Sequence, residues 1–136
     1  MRVLLDTHVL IWALSKPENL PPRARTLLAS RRNAVFFSAV SIWECAIKFA
    51  LRRPDFQTDP GRMIEGATRV DFVELPVTSG AAARVAALPL HHRDPFDRLL
   101  IAQAIDEDAV LLTADATLAA YGSHVLMLGA VPSREA

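Results

Sequence analysis

The chain has 136 residues, of which 51% are apolar, and this suits a single domain with a core of its own. Its 15 lysines and arginines equal its 15 aspartates and glutamates, so the net charge of zero does not indicate a nucleic-acid-binding surface. The single cysteine, Cys45, excludes an internal disulfide and a zinc site built from several cysteines.

The apolar start of the chain predicts a strand followed by a helix. Residues 1–14 combine a basic residue with an apolar run, as a signal peptide does, but Asp6 and His8 interrupt the run and no small-residue cleavage site follows. No apolar stretch of the sequence approaches the roughly 20 residues of a membrane span. We therefore expect a cytoplasmic protein, in which Cys45 is a buried and unreactive thiol.

Short apolar runs alternate with helical periodicity along the chain. Strands are predicted at residues 2–6, 35–37, 72–75, 110–113 and 125–128. Helices are predicted at residues 7–15, 21–31, 41–51, 60–69, 79–88 and 95–106, with a short one after Asp115. Strands that are separated by helices form a parallel sheet that is covered on both faces. The sequence thus predicts an α/β fold of three layers, α/β/α, in which the central layer is a short parallel sheet.

The third helix is predicted to bury the residues that share one helical face, namely Ile42, Ala46, Phe49 and Ala50. We expect residues 1–130 to form a single domain and residues 131–136 to form a flexible tail.

Four acids are placed where strands end or helices begin. Asp6 and Asp115 follow apolar strands, and we place Glu44 and Asp97 in the first turns of helices. Ligands of open α/β sheets bind outside the carboxyl ends of the strands. Two like charges 4 Å apart repel by about 4 kcal/mol at an effective dielectric constant of 20, and Mg²⁺ is the usual counter-ion of such carboxylates. The pattern therefore predicts the site of a metal-dependent nuclease.

Each acid also has a purely structural interpretation. Asp6 and Asp115 can cap the helices that follow them, and Asp97 can favour the dipole of its own helix. Asp94 directly precedes Pro95, and we interpret it as a helix cap and nothing more. The functional interpretation depends on the coincidence of the four acids at one sheet edge.

Glu44 has the strongest structural alternative. Ser41 and Glu44 match the capping-box pattern, and Glu44 has the favourable order for an ion pair with Lys48 one turn later. Taken alone, Glu44 is better explained as a structural residue than as a functional one.

Other polar residues rank as supporting candidates. Thr7 and Thr113 can hold a carboxylate or a metal-bound water through their hydroxyls, or take ordinary turn and strand positions. Arg98 can orient Asp97, contact RNA or form a surface salt bridge. The histidines lack the i, i+4 pairing of a helical zinc site. His91 and His92 precede the acidic helix and can contact a phosphate there, but an exposed loop position is favoured for both.

Taken together, four segments resemble the PIN domain, and specifically the VapC-type toxins of bacterial toxin–antitoxin pairs. They are RVLLDTHVLIWAL, FFSAVSIWECAIK, HRDPFDRLLIAQA and VLLTAD. The resemblance extends from Met1 to about Leu128. It implies that the four acids of the family fall on Asp6, Glu44, Asp97 and Asp115, and that the hydroxyl before the last acid falls on Thr113.

The resemblance implies a Mg²⁺- or Mn²⁺-dependent endoribonuclease that cuts cellular RNA. It also implies a cognate antitoxin as protein partner, a homodimer, and a hetero-oligomer with the antitoxin on DNA. We expect the antitoxin to bind near Trp12 and Trp43. The alternative is a non-catalytic protein that acts mainly in an antitoxin–DNA regulatory complex.

Two other enzyme and signalling classes fit less well. A haloacid-dehalogenase-like phosphatase needs a second aspartate two residues after Asp6, where this chain has His8. A receiver domain needs paired acids near the first strand and a lysine after a late strand, whereas the two lysines are Lys16 and Lys48.

Overall fold

A computed structural model describes residues 1–133 of the chain, and these residues include one five-stranded parallel sheet. The strands are β1 (Arg2–Leu5), β2 (Ala34–Ser38), β3 (Val73–Leu75), β4 (Val110–Thr113) and β5 (Val125–Met127). Their order is β3-β2-β1-β4-β5, with Val3 of β1 paired to Val35 of β2 and Val110 of β4. The chain therefore winds to one side of β1 and then to the other. The point between β1 and β4 is the topological switch point, where open sheets bind ligands.

Helices cover both faces of the sheet, as the sequence predicted. They are α1 (Thr7–Ser15), α2 (Pro22–Ala29), α3 (Ala39–Ala50), α4 (Pro60–Arg69), α5 (Ser79–Arg84) and α6 (Pro95–Asp106). Short 3-10 segments occupy Pro17–Asn19, Val85–Ala87, Ala116–His124 and Leu128–Ala130. The predicted three-layer α/β/α fold is confirmed.

The alternation of side chains along β1 divides the core into two layers. Val3 and Leu5 point to one face, where they belong to a buried cluster with Leu10 of α1 and Leu27 of α2. Leu4 points to the other face and belongs to the cluster that includes Leu100, Ile101 and Ala104 of α6. Three successive apolar residues thus contribute to two cores, which explains why the strand reads as a continuous apolar run.

Helix α3 differs from its predicted position. It begins at Ala39, because Ser38 caps it by accepting a hydrogen bond from the Val40 backbone N–H at 3.0 Å. Its buried residues are Val40, Ser41, Glu44 and Cys45. The predicted inward face of Ile42, Ala46, Phe49 and Ala50 is therefore wrong, since only Ile42 is partly buried.

The orientation of α3 about its axis exposes large apolar side chains. Trp43 is 60% exposed and Leu51, just after the helix, is 67% exposed, with Ile47 and Phe49 more than one third exposed. The reason is that the helix turns two polar residues inward, Ser41 and Glu44, and the opposite face is then apolar. Cys45 is buried, as predicted, and burial raises the pKa of its thiol to about 12.

The last segments are shorter or more irregular than predicted. The predicted helix over residues 79–88 is divided into α5 and the 3-10 turn at Val85–Ala87. The predicted tail begins at residue 131, but Val131 is buried in the core, so the packed part of the chain includes it. The rest of the predicted tail includes residues 134–136, which lie outside the described residues. Within residues 1–133, no helix is both long and apolar enough to cross a membrane.

The central position of Leu4 gives a stability prediction. Leu4→Ala removes a fully buried side chain between β1 and α6, and we expect it to lower the free energy of unfolding by about 2–5 kcal/mol. The matched control is Leu51→Ala, at an exposed position, which we expect to change that energy by no more than about 0.5 kcal/mol. Urea denaturation of both variants measures the difference, and equal effects would contradict this description of the core.

Candidate functional site

The four predicted acids line one crevice at the carboxyl edge of the sheet. Asp6 follows β1 and Asp115 follows β4, whereas Glu44 and Asp97 come from α3 and α6. The crevice has a volume of about 240 Å³ and lies at the switch point. Its lining residues are Asp6, Thr7, His8, Glu44, Lys48, His92, Asp94, Asp97 and Asp115. The fold thus brings the predicted acids together, along with residues that the sequence did not group with them.

Asp6 acts as a helix cap and faces the crevice at the same time. Its Oδ1 accepts a hydrogen bond from the Val9 backbone N–H at 2.8 Å, and its Oδ2 accepts one from the Thr113 hydroxyl. Only 7% of the residue is exposed. Burial raises the pKa of Asp6, and the two hydrogen bonds oppose that effect. The structural and functional interpretations of this residue are therefore compatible.

Thr113 connects Asp6 to the loop that carries Asp115. Its hydroxyl donates to Asp6 and accepts a hydrogen bond from the Asp115 backbone N–H at 3.0 Å. The side chain of Asp115 caps the following 3-10 segment through the Thr117 backbone N–H and also accepts from the Thr117 hydroxyl, at 3.0 and 2.7 Å. Asp115 is 41% exposed at its side chain, so it forms the outer wall of the crevice.

Glu44 lies in the second turn of α3, not in its first turn. Ser41 is inside the helix and accepts a hydrogen bond from the Thr7 hydroxyl at 3.0 Å, so the predicted capping box is wrong. The predicted ion pair is confirmed, because Lys48 Nζ lies 2.5 Å from Glu44 Oε2. Glu44 Oε1 is buried and has no hydrogen-bond partner among the described residues. An unpaired buried carboxylate oxygen is costly, and a bound cation or an ordered water would satisfy it.

Asp94 and Asp97 occupy the start of α6. Asp94 caps the helix as predicted, with its Oδ1 accepting from the backbone N–H groups of Phe96 and Asp97 at 2.8 and 3.3 Å. It also lines the crevice, a position that the sequence did not predict. Burial raises the pKa of Asp97 to about 6, and the nearby charge of Asp94 adds to this effect. The hydrogen bond from His92 acts in the opposite direction.

His92 lines the crevice, although the sequence favoured an exposed loop position for it. Its Nε2 lies 2.8 Å from Asp97 Oδ2 and 3.9 Å from Asp115 Oδ2, and only 21% of its side chain is exposed. The predicted exposed loop position is therefore wrong for this histidine. One feature of the sequence could have indicated this position: His92 lies two residues before the helix cap Asp94. From there a side chain can fold back over the first helical turn.

Arg98 supports the loop and not the acids. Its guanidinium donates to the backbone carbonyls of Val85, Leu88, Pro89 and His92 and to the Tyr121 hydroxyl, at 3.0 to 3.4 Å. The predicted roles of orienting Asp97 or forming a surface salt bridge do not match these contacts. Arg98 instead fixes the loop that carries His92, since one guanidinium donates to several backbone carbonyls between Val85 and His92.

The donor atoms of the crevice suit a hard divalent metal ion. Among residues 1–133, five carboxylates line it together with the ammonium group of Lys48. That ammonium group is bound to Glu44 and stands over the rings of Phe56 and Phe96, 4.8 and 5.8 Å from their centroids. Carboxylate oxygens are the preferred ligands of Mg²⁺ and Mn²⁺. The unpartnered Glu44 Oε1 is consistent with that donor set.

The chain belongs to the PIN domain family, whose family model matches residues 3–123. No curated protein gave a significant sequence match. The predicted membership of the PIN family is thus confirmed.

Solved structures share the fold over nearly the whole chain. VapBC2 from Rickettsia felis, bound to a DNA fragment from its promoter, is similar with a TM-score of 0.67 and 16% identity, covering 93% of this chain and 97% of that one. FitAcB from Neisseria gonorrhoeae has a TM-score of 0.62, 19% identity and coverages of 93% and 98%. VapBC-5 from Mycobacterium tuberculosis, a member of the VapBC toxin–antitoxin family, has a TM-score of 0.59 and 22% identity, covering 93% of this chain and 96% of that one. At these identities the similarity establishes the fold.

The raised pKa of Asp97 predicts a pH-dependent stability of the metal-free protein. A folded-state pKa of about 6, against an ordinary value of 3.8, means that this carboxyl stabilises the fold below pH 3.8 and loses that contribution as the pH rises through 6. The loss at neutral pH is about 3 kcal/mol. In EDTA, Asp97→Asn should therefore be more stable than the wild type by up to that amount at neutral pH, and the difference should disappear near pH 4.

The control for this prediction is Asp55→Asn. The hydrogen bond with His8 lowers the pKa of the exposed Asp55 carboxyl, so its contribution is present at neutral pH and is lost as the pH falls. Urea denaturation at neutral pH should give effects of opposite sign for the two variants, and near pH 4 the effect of Asp97→Asn should be absent. An Asp97→Asn protein that is no more stable than the wild type at neutral pH would contradict the assignment.

Proposed function

We propose that the chain is a metal-dependent endoribonuclease and the VapC-type toxin of a toxin–antitoxin pair. PIN domains are generally nucleases, which supports the reaction class. The observation that carries the proposal is the convergence of Asp6, Glu44, Asp97 and Asp115 on one crevice, in which a buried carboxylate oxygen has no protein partner. The choice of RNA as substrate rests on the sequence resemblance to VapC toxins.

The proposed reaction is hydrolysis of a phosphodiester bond by water. A bound Mg²⁺ or Mn²⁺ would supply a coordinated water of lowered pKa and would neutralise charge on the scissile phosphate. We assign Asp6 and Asp97 to holding one or two such ions, with help from Glu44 and Asp115. No covalent intermediate with the protein is needed.

The chain's own residues fix the geometry for that step. Thr113 holds Asp6 Oδ2, and the Val9 N–H holds Asp6 Oδ1, so this carboxylate has one orientation. Thr117 holds Asp115 Oδ1, which leaves Asp115 Oδ2 directed toward His92 at 3.9 Å, beyond hydrogen-bond distance. We assign Asp115 Oδ2 to aligning the attacking water and accepting its proton. Lys48, the ammonium group of the crevice, is placed to attract the phosphate.

Carboxylate variants test the catalytic proposal. Asp6→Asn and Asp97→Asn should each lower the rate of RNA cleavage at least about 100-fold, because a neutral amide is a poor ligand for the proposed ion. Asp59→Asn is the matched control: Asp59 is the exposed cap of α4, outside the crevice, and asparagine caps about as well as aspartate.

Cleavage of a mixed RNA pool, with Mg²⁺ or Mn²⁺ and with EDTA, is the measurement. If purified Asp6→Asn or Asp97→Asn retains near-normal cleavage, the assigned ligands are wrong. If the wild type cuts no RNA with either ion, the non-catalytic alternative is supported: a protein acting mainly in an antitoxin–DNA regulatory complex.

We further propose an antitoxin as protein partner, bound on the apolar face of α3. This face comprises Trp43, Ile47 and Phe49, with Leu51 just beyond the helix, and it is exposed in the single chain. Trp43 packs edge-to-face on Phe96, two rings at 5.3 Å, and so connects the face to the start of α6 beside the crevice. A partner on this face can therefore reach the acids with a basic side chain, for which an arginine fork is suited. A homodimer is the other proposed assembly.

Trp43→Ala tests the partner face. We expect it to weaken binding of the small protein encoded beside this gene at least about tenfold, because large exposed aromatics are common binding hot spots. The control is Val73→Ala on the edge strand β3, at a residue that is also about half exposed. Isothermal titration measures the affinity, and light scattering of the protein alone measures its mass. Unchanged affinity contradicts the proposed face, and a dimer that becomes a monomer only in Trp43→Ala assigns the face to self-association.

A further inference from the structure

The imidazole of His92 is fixed in the crevice from three sides. The backbone N–H of His92 donates to the Tyr121 hydroxyl at 3.2 Å. Its Nδ1 lies 3.2 Å from the Thr117 hydroxyl, and its Nε2 lies 2.8 Å from Asp97 Oδ2. Since Arg98 holds the His92 carbonyl as well, the ring has a defined position and orientation.

The hydrogen bonds around the ring determine which nitrogen carries the proton. The Thr117 hydroxyl donates its hydrogen to Asp115 Oδ1 at 2.7 Å, so toward His92 it can only accept. The His92 Nδ1 therefore carries a hydrogen. Its Nε2 donates a second proton to Asp97 in the imidazolium form and presents a lone pair toward Asp97 in the neutral ring. A metal ion can take the place of that proton between His92 Nε2 and Asp97 Oδ2, since metal binding at a histidine displaces a proton.

The arrangement has the form of a metal-ligating histidine. Such a histidine donates its other ring N–H to a neighbouring oxygen that leads to a carboxylate, as His92 does through Thr117 and Asp115. Two ligands at right angles, each about 2.1 Å from an ion, are about 3.0 Å apart. The separation of His92 Nε2 and Asp97 Oδ2, 2.8 Å, is close to that value.

Two neighbouring acids complete the donor set. One ligand atom from each of His92, Asp94 and Asp97 lies within 4.8 Å of the others. Asp94 uses Oδ1 to cap α6, which leaves its second oxygen for an ion. The unpartnered Glu44 Oε1 lines the same crevice, and it is an independent indication of a cation there, because Glu44 is only 4% exposed.

We propose that His92 Nε2 is a direct metal ligand and that the crevice is a mixed nitrogen–oxygen site that prefers Mn²⁺ to Mg²⁺. The inference rests on the proposed function for the place of the metal, and it adds the ligand and the metal preference. Imidazole suits first-row transition ions, whereas Mg²⁺ favours an all-oxygen shell. The ligand comes from a loop and not from a helical pair, which is why histidine spacing in the sequence did not indicate it.

Electron spin-echo spectroscopy of the Mn²⁺-loaded wild-type protein tests the ligand directly. We expect a nitrogen modulation from one coordinated imidazole, and we expect its frequency to change when histidine alone is labelled with ¹⁵N. This measurement needs no variant, so it does not depend on the folding of a mutant. A spectrum without histidine modulation would overturn the proposal.

Variants then assign the signal to one histidine. His92→Ala should abolish the modulation and weaken Mn²⁺ binding by about tenfold or more, with a smaller change for Mg²⁺, both measured by titration calorimetry. The controls are His8→Ala, which also lines the crevice, and His91→Ala, which neighbours His92 and packs on Tyr121. Both controls should keep the modulation. Loss of the signal only in His8→Ala, or equal Mn²⁺ and Mg²⁺ losses in His92→Ala, would refute the assignment.

The spectroscopic result is independent of RNA cleavage. A protein that shows the His92 signal but cuts no RNA refutes the proposed function and leaves this inference standing. A protein that cuts RNA with Mn²⁺ but shows no histidine signal supports the proposed function and refutes the inference about His92.

Discussion

The burial of carboxylates in one crevice is the constraint on which the rest of the structure depends. Asp6 and Glu44 are 7% and 4% exposed, and the fold places them in one crevice with three further acids. Hydrogen bonds from Thr113 and Val9 and the ammonium of Lys48 offset only part of the cost. The strand order makes this convergence unavoidable, since β1 and β4 are neighbours and both end at the crevice. A cation in the crevice would offset the cost of burying these charges and the repulsion between them.

Fold stability and the candidate site share the same side chains. Asp6, Asp94 and Asp115 each cap a helix or 3-10 segment with one oxygen while facing the crevice. A cap uses one or two lone pairs of a carboxylate, and the remaining ones stay available to a ligand. For these acids the choice between a structural and a functional role is therefore not exclusive. The helices hold the acids rigidly, and rigidity is what a metal site requires.

The polar face of α3 determines what the surface of the protein offers to a partner. Glu44 and Ser41 turn inward toward the crevice and toward Thr7. The periodicity of the helix then places Trp43 and Ile47 outside. The orientation of α3 thus places the Glu44 carboxylate in the crevice and an apolar surface next to the crevice. The proposed metal site and the proposed antitoxin-binding face are therefore neighbours.

The sequence by itself determined the sheet, the helix order and the acids at its carboxyl edge. These features are local, since apolar runs define strands, and acids after strands or before helices are fixed by the chain direction. It also determined the caps at Asp6 and Asp94. Tertiary structure decided which face of α3 is buried, because apolar side chains occur on both faces and only the contacts of Ser41 and Glu44 distinguish them. It decided the position of His92 as well, since that ring is held by residues 5 to 29 positions away, and such contacts leave no periodic signal in the sequence.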